Sequence, residues 1–337
     1  MGVNLKPLTD SHELTWNDLR HSSVAIDAYN ALHQFLSIIR QRDGTPLKDA
    51  QGRVTSHLTG LFYRTANLVE RDIRPAYVFD GEPHELKKDT LNDRHARKEQ
   101  AKKDWQAAKQ RGDLEEAKKK AQQTSTLTWD RVEEAQQLLN ALGIPYIEAP
   151  GEGEAQASYM CRQGDVDYAG SQDFDCLLFG APRLLRNLTI SGRRKLPGKQ
   201  KWVQISPEKI MLKELLDAND VTREQLVDIA ILMGTDFNDG VKGIGPKTGL
   251  KLIKKHGAIE SIEQDIDDIP HLDDIRSIFL HPRVTDDYKL TWRPVDEDAT
   301  RGYLCGEHQF SRQRVDSTLE KFQGFAESLD QKNLFDF

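Results

Sequence analysis

Val24-Ala25-Ile26-Asp27-Ala28, Ala76-Tyr77-Val78-Phe79-Asp80-Gly81, and 166–170 running into Ser171-Gln172-Asp173-Phe174-Asp175 decide the fold. Each is a short β-branched or aromatic run that breaks off at an acid or a polar turn. Apolar runs of this length predict strands buried on both faces. A fourth, Ile144-Pro145-Tyr146-Ile147, leads to Glu148 and the turn Pro150-Gly151. Outward from these strands, apolar residues recur at helical spacing over 28–41, 56–71, 128–142 and 154–163. Strand and helix alternate. The expected fold is therefore α/β: a central, mostly parallel, twisted sheet with helices on both faces.

The chain has 337 residues, 30% charged and 37% hydrophobic, a composition that supports a large buried core. No stretch approaches the ~20 apolar residues of a membrane span. Met1-Gly2-Val3-Asn4-Leu5-Lys6 lacks the apolar centre of a secretory signal, and Lys6 stands where a myristoylation signal has Ser or Thr. Cys161, Cys176 and Cys305 are odd in number and widely spaced, which predicts reduced thiols inside a cell and no zinc site. The expected location is intracellular, with no membrane partner.

The net charge of −7 hides a segregated pattern. Residues 86–120 carry twelve Lys/Arg against seven Asp/Glu. Residues 192–201 and 241–257 carry five basic residues each and no acid, whereas 260–274 is strongly acidic. Such segregation gives an acidic protein local basic surfaces. Residues 84–123 have few apolar points (Leu91, Trp105, Leu114) and are expected to form mostly exposed helices projecting from the core. Lys98, Lys102, Lys103 and 118–120 are read as its solvated face. Gly192 to Lys201 is expected to be a basic hairpin or loop.

Acids recur where the strands end: Asp27, Asp80, Glu152 with Glu154, and Asp173 with Asp175. Asp236 follows the apolar helix expected over 226–232. Ligands of an open parallel sheet bind beyond the carboxyl ends of its strands. Any one of these acids is by default a helix cap or a loop carboxylate; seven sharing that role in one chain is a poor explanation. Converging carboxylates repel, and hard oxygen ligands select Mg²⁺ or Mn²⁺. Two such ions, roughly 4 Å apart, would offset the charge and activate water for in-line attack at phosphorus.

In order along the chain stand Val24-Ala25-Ile26-Asp27-Ala28, Tyr77-Val78-Phe79-Asp80-Gly81-Glu82-Pro83, Pro150-Gly151-Glu152-Gly153-Glu154-Ala155, Asp173-Phe174-Asp175-Cys176-Leu177-Leu178-Phe179-Gly180 and Met233-Gly234-Thr235-Asp236. Over nearly the whole length this set resembles the archaeal flap endonucleases of the 5′-nuclease family. The resemblance implies that Asp27, Asp80, Glu152, Glu154, Asp173, Asp175 and Asp236 hold two Mg²⁺ ions, some through water, with Mn²⁺ as a substitute. It implies phosphodiester hydrolysis at the base of 5′ flaps in DNA, with 5′–3′ exonuclease activity, in Okazaki-fragment maturation and base-excision repair. It places Lys87 and Arg94 at the base of a helical arch facing the metals, and Arg40 and Arg64 on DNA. The family commonly has a tyrosine at the position of His33, stacked on a base next to the cut. A histidine ring stacks more weakly and can carry charge; Tyr29, one turn earlier, suits core packing.

Gly243-Ile244-Gly245-Pro246-Lys247 lies between two expected helices. Glycines let a backbone approach phosphate closely, and a helix N-terminus offers free N–H groups to the anion. By the resemblance this turn grips one duplex arm, with K⁺ held at Gly240, Val241 and Ile244. Gln331, Leu334 and Phe337 match a sliding-clamp (PCNA) binding box whose second aromatic is absent. The expected organisation is one nuclease domain over 1–330, acting as a monomer, and a clamp-binding tail over 331–337. Within the domain, 1–83 and 128–235 form the nuclease regions, 84–127 the arch, 236–257 a helix-hairpin-helix-type motif and 258–330 a C-terminal helical part. Two other readings stand beside it: an excision-repair or junction-resolving nuclease of the same superfamily, and an inert junction-binding scaffold on the clamp.

Overall fold

The computed structural model describes residues 2–189, 193–195, 202–262 and 269–333. Its strands are β1 (His12–Glu13), β2 (Ser23–Asp27), β3 (Arg74–Phe79), β4 (Tyr146–Glu148), β5 (Tyr168–Gly170), β6 (Arg183–Arg186), β7 (Arg193–Lys195), β8 (Trp202–Gln204) and β9 (Glu208–Met211). Seven of them form one sheet in the order β1-β9-β6-β5-β2-β3-β4. From β4 across to β6 every pairing is parallel, and β9 then runs antiparallel to both β6 and β1. This is the mostly parallel sheet expected. β7 and β8 pair antiparallel by themselves; of the expected basic hairpin or loop, Gly192 and residues 196–201 lie outside those described.

The helices are α1 (Ala28–Ile38), α2 (Ser56–Val69), α3 (Lys88–Gln110), α4 (Leu114–Gln122), α5 (Trp129–Ala141), α6 (Gly153–Gln163) and α7 (Asp175–Leu178). They continue with α8 (Leu212–Asn219), α9 (Arg223–Met233), α10 (Pro246–His256), α11 (Leu272–Leu280), α12 (Glu297–Arg301) and α13 (Arg312–Asn333). Alternation along β3 shows how the sheet is covered. Ala76 and Val78 face one apolar layer, built on α6, α7, α9, α10 and α11. Tyr77 and Phe79 face the other, built on α1, α2, α5 and α13. In α1, Ala28, Ala31, Leu32, Phe35 and Leu36 are buried at helical spacing. Phe35 lies so close to Gly60 of α2 that a Cβ there would come within 2.2 Å of its ring. Emptying this crossing with Phe35→Ala would cost about 3–5 kcal/mol.

Two expectations need correction. α1 stops at Ile38, short of residue 41, because the chain turns into short antiparallel bridges, Arg40 with Pro46 and Lys48 with Val54. The insertion is less exposed than its composition suggests. Ala101, Ala108, Ala117 and Ala121 are buried where α3 and α4 meet. Trp105 Nε1 donates to the carbonyl of Asp43 at 3.0 Å, and Lys109 pairs with the Asp43 carboxylate at 2.7 Å. Small residues on a sparsely apolar helix read as solvated in sequence; here they permit close packing.

α9 opens with a reciprocal Thr222–Gln225 capping box, and α10 opens with Gly245 as N-cap and Pro246 in the first turn. Between them Gly240 adopts φ +72° and approaches Gly234 so closely that a Cβ would sit 2.2 Å from the Gly234 nitrogen. Of the two helices flanking this turn, only α10 falls inside the 236–257 bounds expected for the motif; α9 ends before them, at Met233. Among the described residues no helix is long and apolar enough to cross a membrane.

Candidate active site

Parallel pairing places the ends of β2, β3 and β5 side by side, and acids follow each of them. Asp27 closes β2 and caps α1, its Oδ1 accepting from Asn30 N at 3.0 Å. Asp80 follows β3 and accepts from Gly153 N at 2.7 Å. Glu152 caps α6 by position, and Glu154 lies in that helix's first turn, where Ser171 Oγ donates to its Oε1 at 2.6 Å. Asp173 accepts from Asn30 Nδ2 at 2.9 Å. Asp175 starts α7, and its Oδ1 accepts from Val3 N at 2.8 Å. Asp236 comes from the other direction, off the end of α9.

These carboxylates act on one another. Burial lifts Asp80 to about 6, and Glu152 and Asp236 add to the rise. Burial, with Asp173 and Asp236, lifts Asp175 to about 7. Asp27 is pushed well above the carboxylate range by burial, then by Asp80 and Asp173. Glu154 is pushed up by burial and by Asp175, Asp27 and Asp173. All seven acids thus belong to one electrostatic unit.

Two cations enter this unit from the insertion. Lys87 ends a 3₁₀ turn just before α3, and its Nζ lies 2.5 Å from Glu152 and 3.9 Å from Asp236. Arg94, on α3, places Nη2 2.5 Å from Asp236 Oδ1. Surrounding acids hold the Lys87 ammonium above its ordinary range despite its burial. His33 is half-buried beside them; burial, with Lys98 and Arg94 nearby, pulls it down to about 4, so its ring is neutral at physiological pH. Lys98, assigned to the solvated face, is half-buried next to Arg94, which corrects that reading. Tyr29 packs edge-on against Phe79, a core role.

Among the described residues no three His, Cys, Asp or Glu side chains are closed up tightly enough to hold a metal ion between them. Carboxylates without counter-charge stay apart, and Lys87 and Arg94 hold two of them. The donor chemistry nonetheless fits hard divalent cations: every donor is a carboxylate oxygen, and four are so poorly compensated that their protons are retained unusually far up the pH scale.

The remaining predicted residues lie elsewhere. Arg40 donates to Leu36 O at 2.8 Å and Gly44 O at 3.0 Å, bracing the turn after α1. Arg64 is half-buried on α2. Val241 N donates to Leu232 O and Ile244 N to Val241 O, closing the turn that carries Gly240. Gly243 is exposed with φ +87°, and Lys247 is exposed in the first turn of α10. Gln331 falls within α13; Leu334 and Phe337 lie outside the described residues. Sequence reading missed Asn30, Ser171 and the Val3 amide, because nothing in their spacing reveals which distant acid each one meets. Nothing in the sequence around Gly2 points to the acids. A Cβ on it would lie 2.5 Å from Asp175 Oδ1, so the N-terminal segment is part of the site.

A mostly parallel sheet thus ends in a set of carboxylates that the helical insertion meets with two cations. The XPG N-terminal domain model matches residues 1–101 and the XPG I-region model residues 143–236. The chain is 50% identical to flap endonuclease 1 of Archaeoglobus fulgidus over 96% of each chain, and 48% identical to that of Methanosarcina acetivorans over 99% of each. The solved flap endonuclease-1 from Methanococcus jannaschii matches with a TM-score of 0.77 at 41% identity, over 97% of this chain and 99% of that one. The chain belongs to the flap endonuclease family of XPG-type nucleases.

Proposed function

We propose that this chain is a magnesium-dependent, structure-specific nuclease that cuts 5′ flaps in DNA at their junction with duplex and degrades 5′ ends as an exonuclease. The observation that carries this reading is the meeting of Lys87 and Arg94, from the insertion, with Glu152 and Asp236 of the acid cluster beyond the sheet. Asp27, Asp80, Glu152, Glu154, Asp173, Asp175 and Asp236 would hold two divalent ions, Mg²⁺ or Mn²⁺. Bound there, the ions supply counter-charge and Lewis acidity at the phosphodiester. Lys87 and Arg94 exchange their carboxylate partners for the scissile phosphate and stabilise the charge that builds on it. His33, neutral, offers a ring face to a base beside the cut. The arch formed by α3 and α4 takes the single 5′ strand into a positive passage.

The α9–α10 turn grips duplex DNA through backbone N–H groups at Gly243 and Gly245 and through Lys247, with K⁺ at Gly240, Val241 and Ile244. Arg40 and Arg64 face the nucleic acid on the side of α1 and α2. Such contacts read shape and not base sequence. Residues 1–330 act as one nuclease domain, a monomer, and 331–337 tether it to the sliding clamp in replication and repair inside the cell. Incubation with labelled double-flap DNA, with and without Mg²⁺, tests the reading. Cleavage at the flap base only with the ion is the expected result. Metal-independent binding without product would support a scaffold, and preference for bubbles or four-way junctions the other nuclease branches.

A further inference from the structure

Asn30 sits in the first turn of α1 and is bonded to two acids that arrive from different strands. Its backbone N–H donates to Asp27 Oδ1 at 3.0 Å, and its side-chain Nδ2 donates to Asp173 Oδ2 at 2.9 Å. Asp27 ends β2 and Asp173 follows β5, adjacent parallel strands paired up to Ile26 and Gly170. Asp173 lies in the loop beyond β5, where its backbone N donates to Ser171 Oγ at 3.1 Å. The main chain of this loop is therefore fixed by Ser171, while the carboxylate turns about a soft torsion. Repulsion from Asp27 tends to swing it away. A neutral amide donor removes that freedom without adding a charge to the site.

We propose that Asn30 is a positioning residue whose side-chain amide sets the orientation in which the Asp173 carboxylate meets a divalent cation. The proposal rests on the reading of Asp27 and Asp173 as cation ligands. Outer hydrogen-bond partners of ligands are typically worth about 10–100-fold in metal affinity. Asn30→Ala keeps the backbone bond to Asp27 and suits a helix, so it removes the Asp173 contact alone.

The test is Mn²⁺ binding to the DNA-free, full-length protein, read as free Mn²⁺ by electron paramagnetic resonance. Asn30→Ala is expected to raise the Kd about 10–100-fold, with the melting temperature and flap-DNA affinity in EDTA unchanged. Excess Mn²⁺ should restore most of kcat, a response that a merely structural defect would not give. Should that variant not fold, Asn30→Ser serves in its place and is expected to show a smaller loss. A Kd within twofold of the unaltered protein overturns the proposal. Asp173→Asn is measured alongside. If it loses Mn²⁺ affinity while Asn30→Ala keeps it, the role of Asn30 alone falls. If Asp173→Asn also binds as tightly as the unaltered protein, the reading of the acid site falls with it.

Discussion

Lys87 and Asp175 carry opposite duties. Lys87 touches Glu152 and approaches Asp236, so its charge already serves the acids before DNA arrives. A cation aimed at developing phosphate charge is worth about 10²–10³ in rate. Lys87→Ala should lower the single-turnover cleavage rate by about that factor while flap-DNA binding in EDTA changes little; an unchanged rate would remove Lys87 from the chemistry. Asp175 is buried, bonded to Val3 N, and repelled by Asp173 and Asp236. Its removal relieves repulsion within the protein and deprives the cations of a ligand. Asp175→Ala should therefore abolish cutting and keep junction binding, as measured by product formation and electrophoretic mobility shift. Near-normal turnover would exclude Asp175 from the metal site.

The α3–α4 insertion and the α9–α10 turn are the elements whose proposed tasks are separable. The insertion is fastened to the turn after α1 through Trp105, Lys109 and a tight contact at Gly44. Gly44 has φ +83°, and a Cβ on it would lie 2.5 Å from the Ala121 Cβ. Gly44→Val should cost about 1–2 kcal/mol in backbone strain alone and loosen α4 from its seat. Faster trypsin cleavage at Arg111, between α3 and α4, would report this; an unaltered digestion rate would refute it. The α9–α10 turn holds an exposed Lys247 at a helix N-terminus. Lys247→Ala should weaken duplex binding equally for all sequences and reduce the slope of log K against log salt by about 1. A loss confined to some sequences would contradict a phosphate contact.

For the whole molecule, the acids make stability depend on pH in an unusual direction. Asp80 at about 6 and Asp175 at about 7 lie above the ordinary carboxylate value of about 4 in an unfolded chain. Folding therefore takes up protons at these positions. Their stabilising contribution is complete below about pH 4 and disappears as pH rises through the folded values. In EDTA the melting temperature should fall between pH 5 and pH 8, and Mg²⁺ should restore it most at pH 8, since ligands bound only by the folded state stabilise it. The Asp80→Asn, Asp175→Asn double variant should flatten the profile. A melting temperature in EDTA independent of pH would show that neither burial nor neighbouring acids raise these carboxyls in the folded state.

Each strand that carries an acid was legible in the sequence, since an apolar run ending at Asp27 or Asp80 has few alternatives to a buried strand with a polar end. Composition marked 84–123 as helical but not how closely its alanines pack, since Ala101, Ala108, Ala117 and Ala121 are buried. The lengths of local helices were less legible: α1 ended early because the bridge between Arg40 and Pro46 captures the chain, a pairing no local pattern encodes. By itself, then, the sequence determined which segments become strands and helices and which chemistry the chain can hold, because periodicity and residue type act over a few neighbours. Only the tertiary structure decided which acid stands beside which. Asn30 reaching Asp173, Val3 reaching Asp175 and Arg94 reaching Asp236 are contacts across more than a hundred residues. They arise from the order of strands in the sheet and the crossing of helices, which are set by the burial of the whole core and not by any one segment.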